Sequence, residues 1–323
     1  MKVWFLPVVL VILPVLVAAP VRGDEPPANV RPEIRLTTPE EVERGTAIRA
    51  FIDARSIRSA SATLQLPDGR TTALPAYPVA STAGGLDRWQ VLIGVDHTVE
   101  GGVAELEITV HTDRGSRLLE RAIAIVPRVF RSEEIALNTA LSELRETTDP
   151  RRARESRELW DLLHVVDPAG RHHSGTLILP VEEFRRTSTF GDRRVFRYAD
   201  GRVVRSYHNG LDLAAPTGAP VYASGRGLVV MAMDRLITGG TVVIEHQPGM
   251  YSLYYHLEDV VVEEGFLVSQ GERLGTVGMT GLATGPHLHW EVRLGGVAVD
   301  PEWFLQEPLV DTGGLTGALS TVP

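Results

Sequence analysis

The sequence predicts a mainly β protein in which two sheet-rich regions are joined by a pair of helices. Aromatic residues make up 6% of the chain, and 31 glycines and 21 prolines supply many tight turns. Short apolar stretches separated by turn residues are typical of strands rather than of long helices. With 323 residues, 43% of them hydrophobic, the chain is long enough to bury a core in each of two domains.

The first sheet-rich region is predicted at residues 31–127. Residues 60–66 and 103–110 alternate apolar and polar side chains, and a turn follows each stretch. Repeated strand–turn–strand units over about 100 residues indicate an antiparallel β-sandwich, immunoglobulin-like in architecture. Its two histidines, His97 and His111, each stand alone, and an isolated histidine is more often structural than a ligand.

Helical patterning replaces the alternation after Arg131. Ser132 is followed by two glutamates, a pattern typical of a capped helix start because acidic side chains suit a helix N-terminus. Asp149–Pro150 marks a second start, with Asp as the cap and Pro at the first helical position. Leucines recur at helical spacing after each start. We therefore expect a helical hairpin over 132–166 that links the two β regions.

Strand patterns return in the last part of the chain. Residues 228–233, 251–255 and 288–294 are examples, and they predict a second antiparallel β-sheet region at 175–309. The Gly-, Thr- and Ser-rich residues 310–323 are predicted to form a disordered tail.

The N-terminus has the features of a secretory signal peptide. Lys2 precedes an apolar run that ends at Val17, and small residues follow it. Pro7 and Pro14 interrupt the run, which falls short of the roughly 20 residues of a membrane-spanning helix. Removal of residues 1–23 would give a periplasmic or secreted protein without a stable membrane anchor. Since the chain has no cysteine, we expect no lipid-bearing thiol at its mature N-terminus.

The charge and composition of the chain limit the classes of partner that it could bind and the residue types that could hold a metal. The formal net charge of −9 does not favour nucleic acid, which is bound by basic surfaces. Disulfides are absent because cysteine is absent. Any metal site must therefore use His, Asp and Glu.

Three short segments of the last region carry histidines in an unusual spacing. His208 and Asp212 are four residues apart, and this carboxylate lies between two leucines, where an inward orientation needs a partner charge or a metal. His287 and His289 are two residues apart, so on a strand they project from one face. His256 ends an aromatic-rich strand. Catalytic zinc usually takes three protein ligands and leaves its fourth position open.

This pattern resembles the signature of the lysostaphin-type (LytM-domain) zinc peptidoglycan endopeptidases. The flanking segments 208–216, 275–281 and 284–291 are similar to the family's sequence, as are Thr187–Gly191 and Tyr255–Leu257. The resemblance covers about residues 175 to 305 and does not extend to the first 170.

The resemblance implies a function and assigns roles to five residues. His208, Asp212 and His289 would bind Zn²⁺, and His256 and His287 would be the catalytic histidines that do not bind it. One of these two would accept the proton of the attacking water and the other would stabilise the oxyanion; the sequence does not decide which. The implied fold is a small antiparallel sheet with a groove lined by loops. The implied substrate is the peptide part of bacterial peptidoglycan, cut at a cross-link or within a stem during cell-wall remodelling.

Each of these residues also has an interpretation in which its role is only structural. His208 with Asp212 could form a surface ion pair, and the two downstream histidines could be an exposed strand pair. His246 fits a structural strand end. His172 and His173 fit a solvated loop. Glu291 either supports His289 from behind or is a surface glutamate.

Two other functions compete with catalysis. A LytM domain can bind peptidoglycan or activate a separate amidase without cutting, although such members typically lack some of the ligands. A β-sandwich adhesion or scaffold protein with an incidental zinc domain is a further alternative.

The long N-terminal region predicts intramolecular regulation. The hairpin or the sandwich would partly cover the groove, so that residues 175–309 alone would digest peptidoglycan faster than residues 24–323.

Overall fold

The computed structural model describes residues 33–81 and 85–311. The predicted signal peptide, and residues 312–323 of the predicted tail, lie outside these described residues. Within them the protein is mainly β, as the sequence predicts. No helix in this part of the chain is long and apolar enough to cross a membrane.

The N-terminal region is a sandwich of two sheets. Its strands are β1 (Ile34–Thr37), β2 (Glu41–Glu43), β3 (Ala47–Ala54), β4 (Ile57–Gln65), β5 (Thr71–Pro75), β6 (Tyr77–Ser81), β7 (Asp87–Gly94), β8 (Gly102–Thr112) and β9 (Gly115–Val126). One sheet has the order β1-β3-β7-β6 and the other β2-β9-β8-β4-β5. The pairs are antiparallel except β2–β9, which is parallel. Along β8 every second side chain from Ala104 to Val110 is fully buried, because alternate residues of a strand face the core.

The segment after the sandwich differs from the predicted hairpin. It consists of a strand β10 (Ser132–Ala136) and two helices, α1 (Thr139–Glu146) and α2 (Pro150–Leu163). Ser132 therefore does not start a helix; Asn138 caps α1 by accepting from the amide of Leu141. Asp149 caps α2 as predicted. The two glutamates taken for a first helical turn instead form ion pairs with arginines of a distant strand.

The rest of the chain forms a three-stranded sheet and a large sheet. The elements are β11 (Arg185–Ser188), β12 (Arg193–Arg197), β13 (Val203–Tyr207), β14 (Leu211–Ala214), β15 (Pro220–Tyr222), β16 (Gly227–Arg235), β17 (Gly239–Gln247), β18 (Met250–Val260), β19 (Leu267–Val268), β20 (Arg273–Val277), β21 (Leu288–Leu294), β22 (Val297–Val299) and α3 (Trp303–Gln306). The small sheet has the order β10-β12-β13, with β10 parallel to β12. The large sheet runs β11-β14-β21-β18-β17-β16-β19, with β15, β20 and β22 paired beside it.

One contiguous apolar core joins the sandwich to the large sheet. At Gly94, at the end of β7, an added Cβ would lie 2.9 Å from a methyl carbon of Val299, so the two regions approach closely there. Asp300 donates its amide to the carbonyl of Gly45 and accepts from Arg128 at 2.7 Å. The sandwich thus packs against the β22 side of the large sheet.

Candidate active site

Three neighbouring strands place the predicted metal ligands side by side. Asp212 on β14 is directly opposite His289 on β21, and His289 is opposite Tyr255 on β18. His208 reaches the same point from the turn before β14. An added Cβ at Gly210 would lie 2.3 Å from the carbonyl oxygen of Trp290, so this turn needs glycine to pass so close to β21. The structure therefore brings all three residues together.

The hydrogen bonds around the two histidines fix which ring nitrogens face inward. His208 donates Nδ1–H to the carbonyl of Thr189 at 2.8 Å, which leaves the lone pair of its Nε2 directed inward. His289 donates Nε2–H to Glu291 at 2.9 Å, which leaves the lone pair of its Nδ1 directed inward. These two nitrogens and Oδ1 of Asp212 lie 2.8–3.0 Å from one another.

Such a convergence of lone pairs fits a cation. Three acceptor atoms that face each other repel unless a positive charge lies among them, and a buried carboxylate needs the same. His, Asp and His are a usual donor set for catalytic zinc. The residues present therefore fit the metal that the family resemblance implies, and they are the group of possible metal ligands found among the described residues.

The pKa values of the three residues reflect this demand for positive charge. Burial would raise the pKa of the Asp212 carboxyl, but the charges of His208 and His289 and their hydrogen bonds lower it well below its usual range. Burial lowers the pKa of His208. Burial also opposes a charge on His289, yet hydrogen bonds to Asp212 and Glu291 raise its pKa to about 9. A metal ion would replace that proton on binding.

Glu291 lies behind the site rather than on the surface. It is 4% exposed, accepts from His289 through Oε1 and accepts from Nε of Arg293 at 2.6 Å through Oε2. Burial would raise its pKa, but the charge of Arg293 and the hydrogen bond from His289 lower it to about 2. A carboxylate that holds the outer nitrogen of a ligand histidine sets its tautomer and orientation. The supporting role considered from the sequence is therefore the one that the structure favours.

His256 and His287 lie next to the ligand group, with ring centroids 4.8 Å apart. His256 donates Nδ1–H to the carbonyl of Thr280 and His287 donates Nδ1–H to the carbonyl of Gly285, both at 2.8 Å. Each ring therefore keeps Nε2 as an acceptor when neutral. Nε2 of His287 is 3.7 Å from Oδ1 of Asp212.

Both histidines are held neutral. Burial, followed by the electrostatic interaction with the neighbouring His287, lowers the pKa of His256 to about 3. Burial is also the main cause that lowers the pKa of His287. Each neutral ring therefore has an unprotonated Nε2 beside the ligand group.

The backbone at these two histidines departs from the predicted regular strands. His256 has a φ of 63°, a strained conformation for a non-glycine residue and one often found at functional sites. The strand β21 begins at Leu288, so His287 precedes it and forms an isolated bridge with Gly278. His287 and His289 nevertheless line one cavity, as the two-residue spacing predicts.

The cavity has a volume of about 560 Å³ and two walls. One wall carries the five predicted site residues. A second wall comes from β10, α1, the loop between them and β12, and consists of Glu133, Ile135, Leu137, Leu141, Arg145, Arg194 and Phe196. None of the described residues of the sandwich lines this cavity.

The remaining histidines of the chain lie elsewhere. His246 is fully buried, close to Arg226 and Ser252, and does not line the cavity. His172 and His173 are half-buried rather than fully solvated, and their amides both donate to the carbonyl of His246. These contacts point to a structural role for all three.

Two residues at the site were missed by sequence reasoning. Arg194 donates to Asp212 and to Glu133, although nothing in the sequence sets it apart from the other arginines. Glu133 was assigned to a helix. The sequence of Ser132–Ala136 shows no polar–apolar alternation that would have predicted a strand, so no signal in this segment could have found Glu133.

A buried His–Asp–His group beside two neutral histidines, on an antiparallel sheet, defines a metal-dependent hydrolase type of site. Residues 206–301 match the model of peptidase family M23. The chain therefore carries a peptidase M23 domain of the LytM type, which confirms the family predicted from the motifs.

Several curated relatives are named as DD-endopeptidases or DD-carboxypeptidases. Peptidoglycan DD-endopeptidase ShyA of Vibrio cholerae is 42% identical over 121 residues, or 38% of this chain and 28% of ShyA. DD-carboxypeptidase/endopeptidase Mpg of Neisseria meningitidis is 45% identical over 94 residues, or 29% of this chain and 22% of Mpg. The chain thus spans less than a third of the length of these relatives.

A solved structure is similar over a longer stretch. It is a crystal structure of a Pseudomonas aeruginosa protein assigned to peptidase M23, with a TM-score of 0.55 and 27% sequence identity. The similarity covers 77% of this chain and 88% of that one, so it reaches well beyond the M23 domain into the N-terminal part.

Proposed function

We propose that the chain is an exported zinc metalloendopeptidase that hydrolyses peptide bonds of bacterial peptidoglycan during cell-wall remodelling. The observation that carries the proposal is the convergence of three lone-pair atoms of His208, Asp212 and His289 beside two neutral histidines. The relatives with this domain are named as DD-endopeptidases, which favours a D,D cross-link as the bond that is cut.

The residues of the chain divide the chemistry between them. Zinc, when bound, lowers the pKa of a water molecule towards 7 and polarises a carbonyl group. Of His256 and His287, one takes the proton of the attacking water on Nε2. The other would stabilise the oxygen of the scissile carbonyl, where negative charge develops, by donating Nε2–H, for which its ring must be protonated. The hydrogen bonds from Nδ1 to backbone carbonyls hold both rings in the orientation that this requires.

The direct test is digestion of purified peptidoglycan by the zinc-loaded protein, with mass spectrometry of the fragments. We expect new amino and carboxyl termini at a peptide cross-link. Fragments cut only in the glycan strands would contradict the proposal.

The alternative is a domain that binds peptidoglycan or activates an amidase without cutting. The filled ligand set and both histidines argue against it, since such members typically lack ligands. Pull-down on peptidoglycan without soluble fragments, by a protein that holds stoichiometric zinc, would favour this alternative.

Export is proposed from the N-terminal sequence alone. The mature protein should begin near Asp24 when it is isolated from the cell that makes it, and N-terminal sequencing measures this. Recovery of intact Met1 on a soluble cytoplasmic protein would contradict export.

We further propose that intramolecular restraint of the site comes from the β10–α1 wall and not from the sandwich. Leu141 and Arg145 on α1 line the cavity, and the Arg145 guanidinium stacks 3.8 Å from the Phe196 ring centroid. The full-length double variant Leu141→Ala/Arg145→Ala should digest intact peptidoglycan faster than the unmodified chain at equal zinc content, because it opens this wall.

Arg154→Ala, on the exposed face of α2, is the matched control and should change nothing. Slower digestion by the double variant would show that the wall binds substrate and does not restrain access. The full chain is preferable to residues 175–309 because that truncation also removes β10 from its partner β12.

A further inference from the structure

The two carboxylate oxygens of Asp212 have different partners. Oδ1 faces the inward nitrogens of His208 and His289 at 3.0 and 2.8 Å. Oδ2 points away from them and accepts a hydrogen bond from Nη2 of Arg194. Only one oxygen of this carboxylate is therefore directed at the place where the metal would lie.

Arg194 is itself held from a second direction. Its Nε donates to Oε1 of Glu133 at 2.6 Å, across the parallel pairing of β10 and β12. Glu133 also accepts from the hydroxyl of Ser188, at 2.9 and 2.7 Å to its two oxygens. Ser188 is in turn the register partner of Asp212 on β11 and β14. Arg194 therefore bridges the carboxylates of Glu133 and Asp212. Ser188 contacts both of these acidic residues, because its hydroxyl binds Glu133 and its backbone pairs with Asp212.

A carboxylate without such a partner can bind zinc through both oxygens. Asp and Glu ligands lie about 2.0–2.2 Å from zinc, and a structural site is complete with four ligand atoms, whereas a catalytic site keeps its fourth position for water. A second oxygen from Asp212 would take that position. The guanidinium of Arg194 occupies the second oxygen with a charge-assisted hydrogen bond, which is among the stronger kinds in proteins.

We infer that Arg194, braced by Glu133, is a positioning residue that keeps Asp212 a one-oxygen ligand and so keeps the fourth coordination position open. This inference rests on the proposed metal-dependent function. It also makes β10 part of the site, because this strand positions Glu133 beside Arg194.

The test uses the full chain loaded with Co²⁺ in place of zinc, because visible absorption of Co²⁺ weakens as the coordination number rises. Arg194→Gln should give a weaker spectrum than the unmodified protein, and with zinc its kcat should fall about tenfold or more, in the range found for outer partners of metal ligands. KM should change little. Arg194→Lys, which keeps the charge and one donor, should restore part of the spectrum. Glu133→Gln should shift it in the same direction by less.

The matched controls lie on the same two strands. Arg197 and Glu134 form an ion pair with Arg197 Nε 2.7 Å from Glu134 Oε2, but both side chains are more than half exposed. Arg197→Gln and Glu134→Gln should leave the spectrum and kcat unchanged. An unchanged cobalt spectrum in folded Arg194→Gln would overturn the inference, and so would failure of this folded variant to bind cobalt. If the unmodified protein binds cobalt but releases no peptidoglycan fragments, the proposed function fails while the spectra still decide the role of Arg194.

Discussion

Replacing His208, Asp212 or His289 by alanine should remove zinc and peptidoglycan digestion together. Each change removes one of the three converging acceptor atoms. The two acceptor atoms that remain in the buried site are too few to hold the metal. The loss of zinc affinity should exceed the roughly 10–100-fold that follows from removing an outer partner of a ligand. Metal content after dialysis, measured by mass spectrometry, and release of soluble fragments give the two readouts.

The control for this set is His111→Ala, a histidine on β8 of the sandwich that hydrogen-bonds Ser116 and does not line the cavity. It should keep zinc and activity. Circular dichroism shows whether each variant is folded. A folded ligand variant that keeps stoichiometric zinc would contradict its assignment as a ligand.

His256→Ala and His287→Ala should behave differently, keeping zinc while turnover falls by about 100-fold or more, the range for proton transfer or oxyanion stabilisation. Both rings bind backbone carbonyls through Nδ1 and present Nε2 to the cavity, but neither belongs to the converging group. Zinc stoichiometry together with kcat on purified peptidoglycan measures the separation between the two groups of histidines.

Loss of zinc from His287→Ala would assign that residue to the metal instead. Full activity of a metal-free preparation would contradict the mechanism as a whole. The double variant adds information, because two residues that act in the same hydrolytic step should lose less together than the sum of their separate losses.

Much of the site could be predicted from the sequence, because the rules that set the direction of a side chain along a strand are local. The period of two along a strand places His287, His289 and Glu291 on one side, and all three line the cavity. The position of Asp212 between two leucines implied that an inward carboxylate would need a partner charge or a metal. The structure buries this side chain against two histidines and an arginine. The absence of cysteine limited the ligands to His, Asp and Glu. The resemblance to the LytM domain then assigned roles, and the family comparison confirmed the domain.

The linker shows where local rules mislead. Ser132 followed by two glutamates is compatible with a helix start, and five residues are too few for alternation to indicate a strand. The strand β10 exists because it pairs with β12, 61 residues further along, and because its glutamates meet Arg194 and Arg197 there. A pairing over that separation has no signal in either segment alone.

The sequence alone thus determined the mainly β class, the family of the C-terminal domain and the five residues that meet at its centre. Tertiary structure decided which ring nitrogens face inward, which wall closes the cavity, and that Arg194 binds the second oxygen of Asp212. The reason is physical: spacing along a strand sets which face a side chain takes, whereas a hydrogen-bond partner from another strand depends on register and distance between strands. Among many arginines, only the fold distinguishes the one that touches Asp212.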